Sequence, residues 1–438
     1  AKYLEDRAPS LKINVMVFDR ASKVEYDAWA KLGNPGWDWN GLLPNMKNAE
    51  RFTGIDPFRA NYTNADPTSI FPSQGRNGPV AGSYNNWYGD ITVPFFKSMA
   101  NLSIPTNFDP DSGNAYGVFN SATSVNRTTG KPTKINFKDK NSDKSENVVA
   151  TGVSFVHKSQ TYTVKAKKEV ILAAGAFQSP QLLELSGIGN ATILKNYGIK
   201  PLVDLPGLKP GSSFQDMDTL RNNATFAAAA AAQYLWPLSA EIANLTAQLD
   251  REIASEKLTP LEKASYKIQK EWLKEKVGLV EVIMNPGYAG SMRRKPTLPT
   301  CPSFRLSNIP SRAEKFSNPL VVPRIDPNYF SKSIGTLAAL ARGFADAGTD
   351  GQIWSQTLEN RAFGIIGSER RKHSSPIGTA ALAPKEIGGV VDVDLKSIWD
   401  CERPSSGCQR DPLHIGTHIQ RTVYGIAEKA ANIIKGQS

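Results

Sequence analysis

Residues 175–189, with the sequence GAFQSPQLLELSGIG, decide the fold of this chain. They follow Val170–Ala174, a continuous apolar run that is typical of a buried strand in an α/β sheet. Ser179 suits a helix N-cap, Pro180 the first helical position and Gly187 the helix end. The pattern predicts a strand, a tight turn and a helix. The glycine that opens the segment allows close backbone approach to a ligand at the carboxyl end of the strand.

Length and composition predict a globular protein with more than one domain. The chain has 438 residues, with 40% hydrophobic and 21% charged residues, which is close to the average for folded domains. The net charge is +11, but the densest basic clusters, Arg293–Lys295 and Arg370–Lys372, are short and lack interleaved aromatic residues. We therefore expect no nucleic-acid partner. No apolar stretch reaches the length that crosses a bilayer, so we expect no membrane span.

Glycosylation and cysteine patterns bear on the cellular compartment. The sequence contains six Asn-X-Ser/Thr sequons, which suit a secreted glycoprotein. They begin at Asn61, Asn101, Asn126, Asn190, Asn223 and Asn244. The cysteines, Cys301, Cys401 and Cys408, are too few for a disulfide framework, although the last two have the spacing to close a small loop. The compartment stays open, with an extracellular location as the expectation.

Helical periodicity marks three further regions. Residues Leu245–Val277 show spaced apolar residues among charges, interrupted at Pro260, and predict two amphipathic helices. The alanine run Ala227–Ala232 favours a helix. Apolar or small residues at helical spacing over Thr417–Lys435 predict a C-terminal helix with His418 in its first turn.

The segment 175–189 resembles, position for position, the second signature of the glucose/methanol/choline (GMC) oxidoreductases. Further blocks resemble the family in the expected order; they are residues 13–18, 26–29, 37–44, 318–330, 376–379, 385–392 and 418–435. The resemblance implies an α/β (α+β overall) fold with a Rossmann-like FAD domain and a substrate domain of antiparallel sheet flanked by helices. It places the FAD-binding domain at 1–50, 136–217 and 373–438, and the substrate-binding domain at 51–135 and 218–372.

The resemblance also implies flavin chemistry on a small-molecule alcohol. In such enzymes a hydride passes from the alcohol carbon to flavin N5 while a base, usually histidine, takes the hydroxyl proton. Oxygen or a quinone then accepts the electrons, and the family resemblance points to no metal. His418 matches the second active-site residue. The positions that match flavin contacts are Asn14, Val15, Met16, Val17 and Gln420. Without the resemblance, Asn14 is more simply a turn residue and His418 a polar group at a helix start.

The chain departs from the family at several positions. It contains no Gly-x-Gly-x-x-Gly loop for the FAD pyrophosphate, so we expect it to lack the first βαβ segment of the FAD domain. Ser375 stands where the family has its histidine base, and serine is a poor base. His373 is a further candidate, although its position beside Arg370–Lys372 favours a surface role. Residues Trp399–Cys408 have the composition of a polar loop where the family has a strand.

Three hypotheses for function follow. The first is an FAD-dependent alcohol, aryl-alcohol or sugar oxidase or dehydrogenase, and it ranks first because the departures are local and the resemblance is global. The second is a non-redox lyase or cyclase on the same fold, which the loss of a histidine at Ser375 favours. The third is a catalytically silent relative. The sequence does not determine the substrate, since the aromatic residues Trp87, Tyr88, Phe95 and Phe96 suit either a pocket or a core.

Overall fold

The structure is a computed structural model. It describes residues 17–54, 70–84, 92–101, 104–124, 152–157, 160–167, 170–173, 175–196, 198–205, 239–254, 258–272, 275, 277, 281–283, 303–305, 312–314, 324–326, 378, 380–396, 411–413 and 415–436. Its helices are α1 (Lys23–Lys31), α2 (Trp39–Ala49), α3 (Ile70–Ser73), α4 (Thr92–Asn101), α5 (Gly175–Leu185), α6 (Ala191–Asn196), α7 (Ser239–Ala254), α8 (Pro260–Trp272) and α9 (Gln420–Ile434), with a 3₁₀ turn at Lys385–Ile387. Its strands are β1 (Glu50–Phe52), β2 (Val80–Gly82), β3 (Gly152–His157), β4 (Gln160–Lys165), β5 (Ile188–Gly189), β6 (Val203–Asp204), β7 (Glu281–Ile283), β8 (Ser303–Arg305), β9 (Arg312–Glu314) and β10 (Arg324–Asp326).

Parallel and antiparallel strand pairs both occur in the described residues. β1 pairs in parallel with β2, and β5 in parallel with β6, so each pair needs a crossover connection. β3 and β4 form an antiparallel hairpin in which Val153 lies opposite Val164. The pairs β7 with β8 and β9 with β10 are also antiparallel. This mixture of parallel and antiparallel pairing agrees with the α/β (α+β overall) class expected from the sequence.

Helix α1 begins at a capping box. The backbone N–H of Ser22 donates to the Glu25 carboxylate at 2.9 Å, which satisfies one of the N–H groups that a helix start leaves without a partner. One turn further, Tyr26 and Trp29 are buried with their ring centroids 5.8 Å apart in an edge-to-face arrangement. The Trp29 indole N–H donates to the Leu413 carbonyl at 3.0 Å, so the buried ring keeps its hydrogen bond.

Helices α2 and α9 pack closely against each other. Asp38 caps α2 by accepting a hydrogen bond from the Gly41 N–H at 2.8 Å. Gly425 of α9 faces Met46 of α2, and a Cβ built on Gly425 would lie 2.3 Å from Met46 Cγ. Only a residue without a side chain therefore fits at this crossing. This packing fixes the position of the C-terminal helix.

Helices α7 and α8 confirm the prediction of two helices interrupted at Pro260. The backbone N–H and the hydroxyl of Thr259 both donate to Glu262 Oε2 at 2.6 Å. Pro260 is the first helical residue, where its missing N–H costs no hydrogen bond. The break is therefore a new helix start that Thr259 and Pro260 specify locally.

The structure shows that the buried strand predicted at Val170–Ala174 is wrong. Residues 170–173 form no strand, and Ile171 is 48% exposed. A continuous apolar run becomes a buried strand only where neighbouring strands complete its hydrogen bonds, and no strand in the described part of the chain pairs with it.

The predicted helix after that run exists but begins earlier. Helix α5 starts at Gly175 and continues through Pro180, so Ser179 is not its N-cap. Pro180 lies beyond the first turn, whose N–H groups have no partners within the helix. Its missing N–H therefore costs the helix about one backbone hydrogen bond. The predicted end at Gly187 is confirmed, since this residue has a φ of +84° in the left-handed region.

The predicted C-terminal helix is confirmed with a later start. Helix α9 begins at Gln420, so His418 precedes the helix by two residues and does not lie in its first turn. Residues 416–418 instead form a turn that the buried carboxylates of Glu25 and Asp19 hold through hydrogen bonds.

One buried apolar core connects most of the described helices. It includes Trp29 and Leu42 of α1 and α2, Trp272 of α8, Leu382 of the segment 380–396 and Ile426 of α9. Helices α7 and α8, which the resemblance assigns to the substrate-binding domain, thus share a core with α1 and α2. The domain boundaries stay a prediction.

Within the described residues, no helix combines the length and the apolar character that a membrane span requires.

Candidate active site

Four charged side chains meet inside the protein where the start of β1 approaches the start of α9. Arg20 Nη2 lies 2.8 Å from Glu50 Oε1, and both side chains are fully buried. Arg421, the second residue of α9, lies 3.1 Å from Glu50 and 2.7 Å from Asp111. Two guanidiniums and two carboxylates therefore neutralise each other away from water. Such a set is stable only when every charge keeps its partner.

The charges shift one another's pKa values. Burial alone raises the pKa of Asp111, but the guanidiniums of Arg421 and Arg20 outweigh this effect and hold its pKa below the ordinary value. Burial and the Arg421 charge lower the pKa of Arg20. Burial also lowers the pKa of Arg421, yet Asp111 and Glu50 raise it overall. The attraction between Asp111 and Arg421 thus favours the charged form of both groups.

Gln74 completes this buried charge network. Its amide nitrogen donates to Asp111 Oδ2 at 2.6 Å, and its amide oxygen accepts from Arg421 Nη2 at 3.0 Å. The network therefore ties the start of α9 to the segments around Arg20 and Asp111. Because each contact spans a large sequence separation, the network fixes tertiary structure and not a local turn.

Three chain segments lie side by side next to the network. Val17 pairs with Thr123 in an isolated antiparallel bridge, and Ser83 pairs with the other side of the same residue. Ser83 and Thr123 exchange backbone hydrogen bonds of 3.0 and 2.9 Å, and the Phe18 N–H donates to the Ala122 carbonyl at 2.9 Å. Val17 is therefore held by the segment 122–124.

Gln420 reaches the same segment from the C-terminal helix. The Ser124 hydroxyl donates to the Gln420 amide oxygen at 3.1 Å. Val17 and Gln420, two of the positions that the sequence marked for cofactor contact, are thus joined through adjacent residues of one segment. They lie at opposite ends of the chain in sequence.

The turn that carries His418 is held by two buried carboxylates. Gly416 donates its N–H to Glu25 Oε1. Thr417 donates its hydroxyl to Asp19 Oδ1 at 2.8 Å, and the backbone N–H of His418 donates to the same oxygen at 3.2 Å. The His418 side chain is half-buried. The turn therefore presents an imidazole and, at Gln420, a primary amide at the head of α9.

This arrangement suits proton transfer and hydrogen bonding to a ligand. A neutral imidazole accepts a proton near physiological pH, and an amide offers both donors and an acceptor. The described residues contain no group of three or more His, Cys, Asp or Glu side chains placed to hold a metal ion.

Comparison with known proteins shows a similarity to one family. A sequence model of the GMC oxidoreductases matches residues 124–203, which include the segment 175–189. A GMC oxidoreductase family protein of Malassezia sympodialis, Mala s 12, is 27% identical over 502 residues, covering 98% of this chain and 78% of that protein. The chain is thus similar to GMC oxidoreductases over almost its whole length.

Solved structures show that the chain has the expected fold. An FAD-dependent oxidoreductase from Chaetomium thermophilum superimposes with a TM-score of 0.73 at 22% identity, covering 97% of this chain and 85% of that one. A fungal aryl-alcohol oxidase superimposes with a TM-score of 0.69 at 21% identity, covering 97% and 84%. The Rossmann-like α/β fold expected from the sequence is therefore confirmed.

The site residues predicted from the sequence divide into two groups. The structure places Val17, His418 and Gln420, and it brings the first and last of these to the segment 122–124. Asn14, Val15, Met16, Ser375 and His373 lie outside the described residues. Their roles stay predictions.

Sequence reasoning missed the residues that hold this site together. Asp19, Arg20 and Arg421 carry charges that in a sequence predict a solvated surface, and no spacing marks them as partners. Glu25 had a visible signal, because a glutamate three residues after Ser22 is the pattern of a capping box. Its second bond, to Gly416, is a tertiary contact without a sequence signature.

Proposed function

We propose that this chain is an FAD-dependent oxidoreductase that acts on the CH–OH group of small alcohols, with oxygen or a quinone as electron acceptor. The observation that carries the proposal is the position of His418 and Gln420 at the head of α9, in a buried frame that also holds Val17. Similarity to the GMC oxidoreductases supports it, as do the FAD-dependent oxidoreductase and the aryl-alcohol oxidase with the same fold.

The residues present fit the flavin ring system, which is recognised by amide and backbone groups. Gln420 offers an amide whose oxygen is held by Ser124, and its nitrogen has no partner among the described residues. Val17 offers backbone groups beside the segment 122–124. These two residues would hold the ring, and no residue is assigned to the pyrophosphate.

The chain's own part in the chemistry is proton transfer. When bound, FAD supplies the acceptor for the hydride that leaves the alcohol carbon. The hydroxyl proton must leave as well, because a carbonyl product forms without charge only when a base removes that proton. In this proposal His418 is the base, since a neutral imidazole accepts a proton near pH 7. Ser375 and His373 are the alternative positions.

The first experiment is an ultraviolet–visible spectrum of the purified chain with and without added FAD. Flavin absorption bands that stay with the protein after gel filtration support the proposal. Loss of those bands on anaerobic addition of benzyl alcohol, a primary aliphatic alcohol or glucose supports the alcohol as hydride donor. Absence of bound flavin contradicts the proposal, and bound flavin that no alcohol reduces favours a non-redox role for the fold.

A histidine substitution tests the base. His418→Gln should keep flavin binding and slow anaerobic flavin reduction by about 100- to 10,000-fold, the usual contribution of a general base. His157→Gln, at the end of the β3 strand, is the matched control and should reduce flavin at the rate of the unmodified protein. Reduction at the unmodified rate in His418→Gln would assign the base elsewhere, and His373→Gln and Ser375→Ala are then the variants to compare.

A further inference from the structure

One carboxylate oxygen holds two consecutive residues of the turn before α9. Asp19 Oδ1 accepts the Thr417 hydroxyl at 2.8 Å and the His418 backbone N–H at 3.2 Å. Asp19 is buried, with 6% of its surface exposed. A buried carboxylate that accepts several hydrogen bonds is a strong and geometrically specific anchor.

The position of Asp19 in the chain connects this anchor to the rest of the site. Asp19 lies two residues after Val17, whose backbone is paired with Thr123. The next residue, Arg20, is locked into the buried charge network with Glu50 at 2.8 Å. Asp19 therefore lies between two restrained residues, Val17 and Arg20, and its hydrogen bonds restrain the turn in the same way.

A second carboxylate restrains the same turn from the other side. Glu25 accepts the Gly416 N–H, while its other oxygen accepts the Ser22 N–H at 2.9 Å. Glu25 thus holds Gly416, and Asp19 holds Thr417 and the residue that carries the imidazole. Loss of Asp19 removes this hydrogen bond to the His418 backbone while Glu25 still holds Gly416.

We propose that Asp19 is a positioning residue for His418: its carboxylate sets the place of the imidazole relative to Val17 and Gln420. This inference rests on the proposed function only for its effect on turnover. Displacement of a proton-accepting group by about 1 Å costs up to about 100-fold in rate while the ligand-binding contacts survive. The effect of losing Asp19 therefore falls on kcat and not on KM or FAD affinity.

The test compares four variants of the full chain. Asp19→Ala removes the acceptor oxygen, Asp19→Asn keeps it, and Thr417→Val removes one of the two donors. Asp38→Ala is the matched control, because Asp38 also accepts a single backbone hydrogen bond, from Gly41 at the start of α2. The readouts are kcat and KM for an alcohol that reduces the flavin, FAD affinity by fluorescence, and the thermal midpoint of unfolding.

We expect Asp19→Ala to lower kcat by about 10- to 100-fold with KM and FAD affinity within about threefold of the unmodified protein. Asp19→Asn should recover most of kcat, and Thr417→Val should fall between the two. Asp38→Ala should lower the thermal midpoint and leave kcat unchanged. Equal losses of kcat in Asp19→Ala and Asp38→Ala, or no loss in Asp19→Ala, would overturn the proposal.

Histidine NMR separates this inference from the proposed function. The chain has four histidines, so the imidazole resonance of His418 can be assigned by its loss in His418→Gln, without FAD or activity. Asp19→Ala should shift or broaden that resonance and leave the other three in place, whereas Asp19→Asn should restore it. An unchanged His418 resonance in Asp19→Ala contradicts the proposal even if the chain oxidises no alcohol.

Discussion

Arg421 and Asp111 form a buried ion pair in which Nη1 and Oδ2 lie 2.7 Å apart, with side-chain exposures of 0% and 4%. Arg421 follows Gln420 directly, so this pair holds the start of α9 from inside the protein. Neither charge reaches water, and each depends on the other for its stability. The geometry at the head of α9 is therefore coupled to the stability of the whole core.

Removal of the Arg421 charge should destabilise the protein strongly. Arg421→Met leaves Asp111 and Glu50 with less positive charge in a dry environment, and we expect a loss of about 3–5 kcal/mol in the free energy of unfolding. Urea unfolding followed by tryptophan fluorescence measures it. Lys270→Met, which breaks the exposed Lys270–Asp250 pair of 2.7 Å, is the control and should cost less than about 1 kcal/mol. A loss in Arg421→Met no larger than in the control would contradict a stabilising role for the buried pair.

The carboxyl group of Asp411 should make stability fall as pH rises. Burial raises the pKa of Asp411 well above its ordinary value, and neither carboxylate oxygen has a hydrogen-bond partner on another residue in the described part of the chain. An acid with a raised folded pKa holds its proton longer in the folded state. The free energy of unfolding therefore falls as the pH rises from the ordinary aspartate pKa of about 4 to the folded pKa. Above the folded pKa it stays at the lower value.

Asp411→Asn, which cannot ionise, tests this sign. The unfolding free energy of the variant minus that of the unmodified protein should increase with pH across this window and then become constant. Thermal or urea unfolding at several pH values measures the difference. Asp250→Asn, at an exposed carboxylate, should show no comparable rise. A difference that is independent of pH would mean that Asp411 is not protonated in the folded protein.

A methyl group at Gly425 should disturb the contact between α2 and α9. A Cβ there would lie 2.3 Å from Met46 Cγ and 3.3 Å from the Met46 backbone nitrogen. Overpacking of this kind costs about 1–3 kcal/mol, against a gain of about 1 kcal/mol in helix propensity for Gly425→Ala. We therefore expect a net loss in the free energy of unfolding.

A double-mutant cycle identifies Met46 as the cause. Met46→Ala alone opens a cavity, but combined with Gly425→Ala the smaller side chain makes room for the new methyl group. The double variant should be more stable than the sum of the single changes predicts. Strict additivity would show that Gly425 is constrained by something other than Met46.

The Ser124 hydroxyl should affect flavin binding through Gln420. Ser124→Ala removes the donor that holds the Gln420 amide oxygen at 3.1 Å, so the amide is free to rotate. We expect FAD affinity, measured by flavin fluorescence, to fall by about 3- to 10-fold, which corresponds to the net value of one hydrogen bond. Ser112→Ala, at an exposed hydroxyl in the same loop region, should leave affinity unchanged. Equal affinities in both variants would remove Gln420 from the binding site.

Local signals in the sequence determined much of the helical structure. Ser22 with Glu25 starts α1, and Thr259 with Pro260 starts α8, because the groups that satisfy a helix terminus lie within a few residues of it. Gly187 ends α5 for the same reason. The segment 175–189 also indicated the resemblance to the GMC oxidoreductases, because its whole sequence matches one signature.

The tertiary structure alone decided which charges are buried and where the site residues meet. Ser124 and Gln420 are separated by 296 positions, and Asp19 and Thr417 by 398, so no local pattern marks them as partners. The exposure of Ile171 depends likewise on which strands stand beside it and not on its own apolar run. A local sequence pattern fixes hydrogen bonds within a turn or two of the chain. The free energy of burying a charge depends on side chains that only folding brings within a few ångströms.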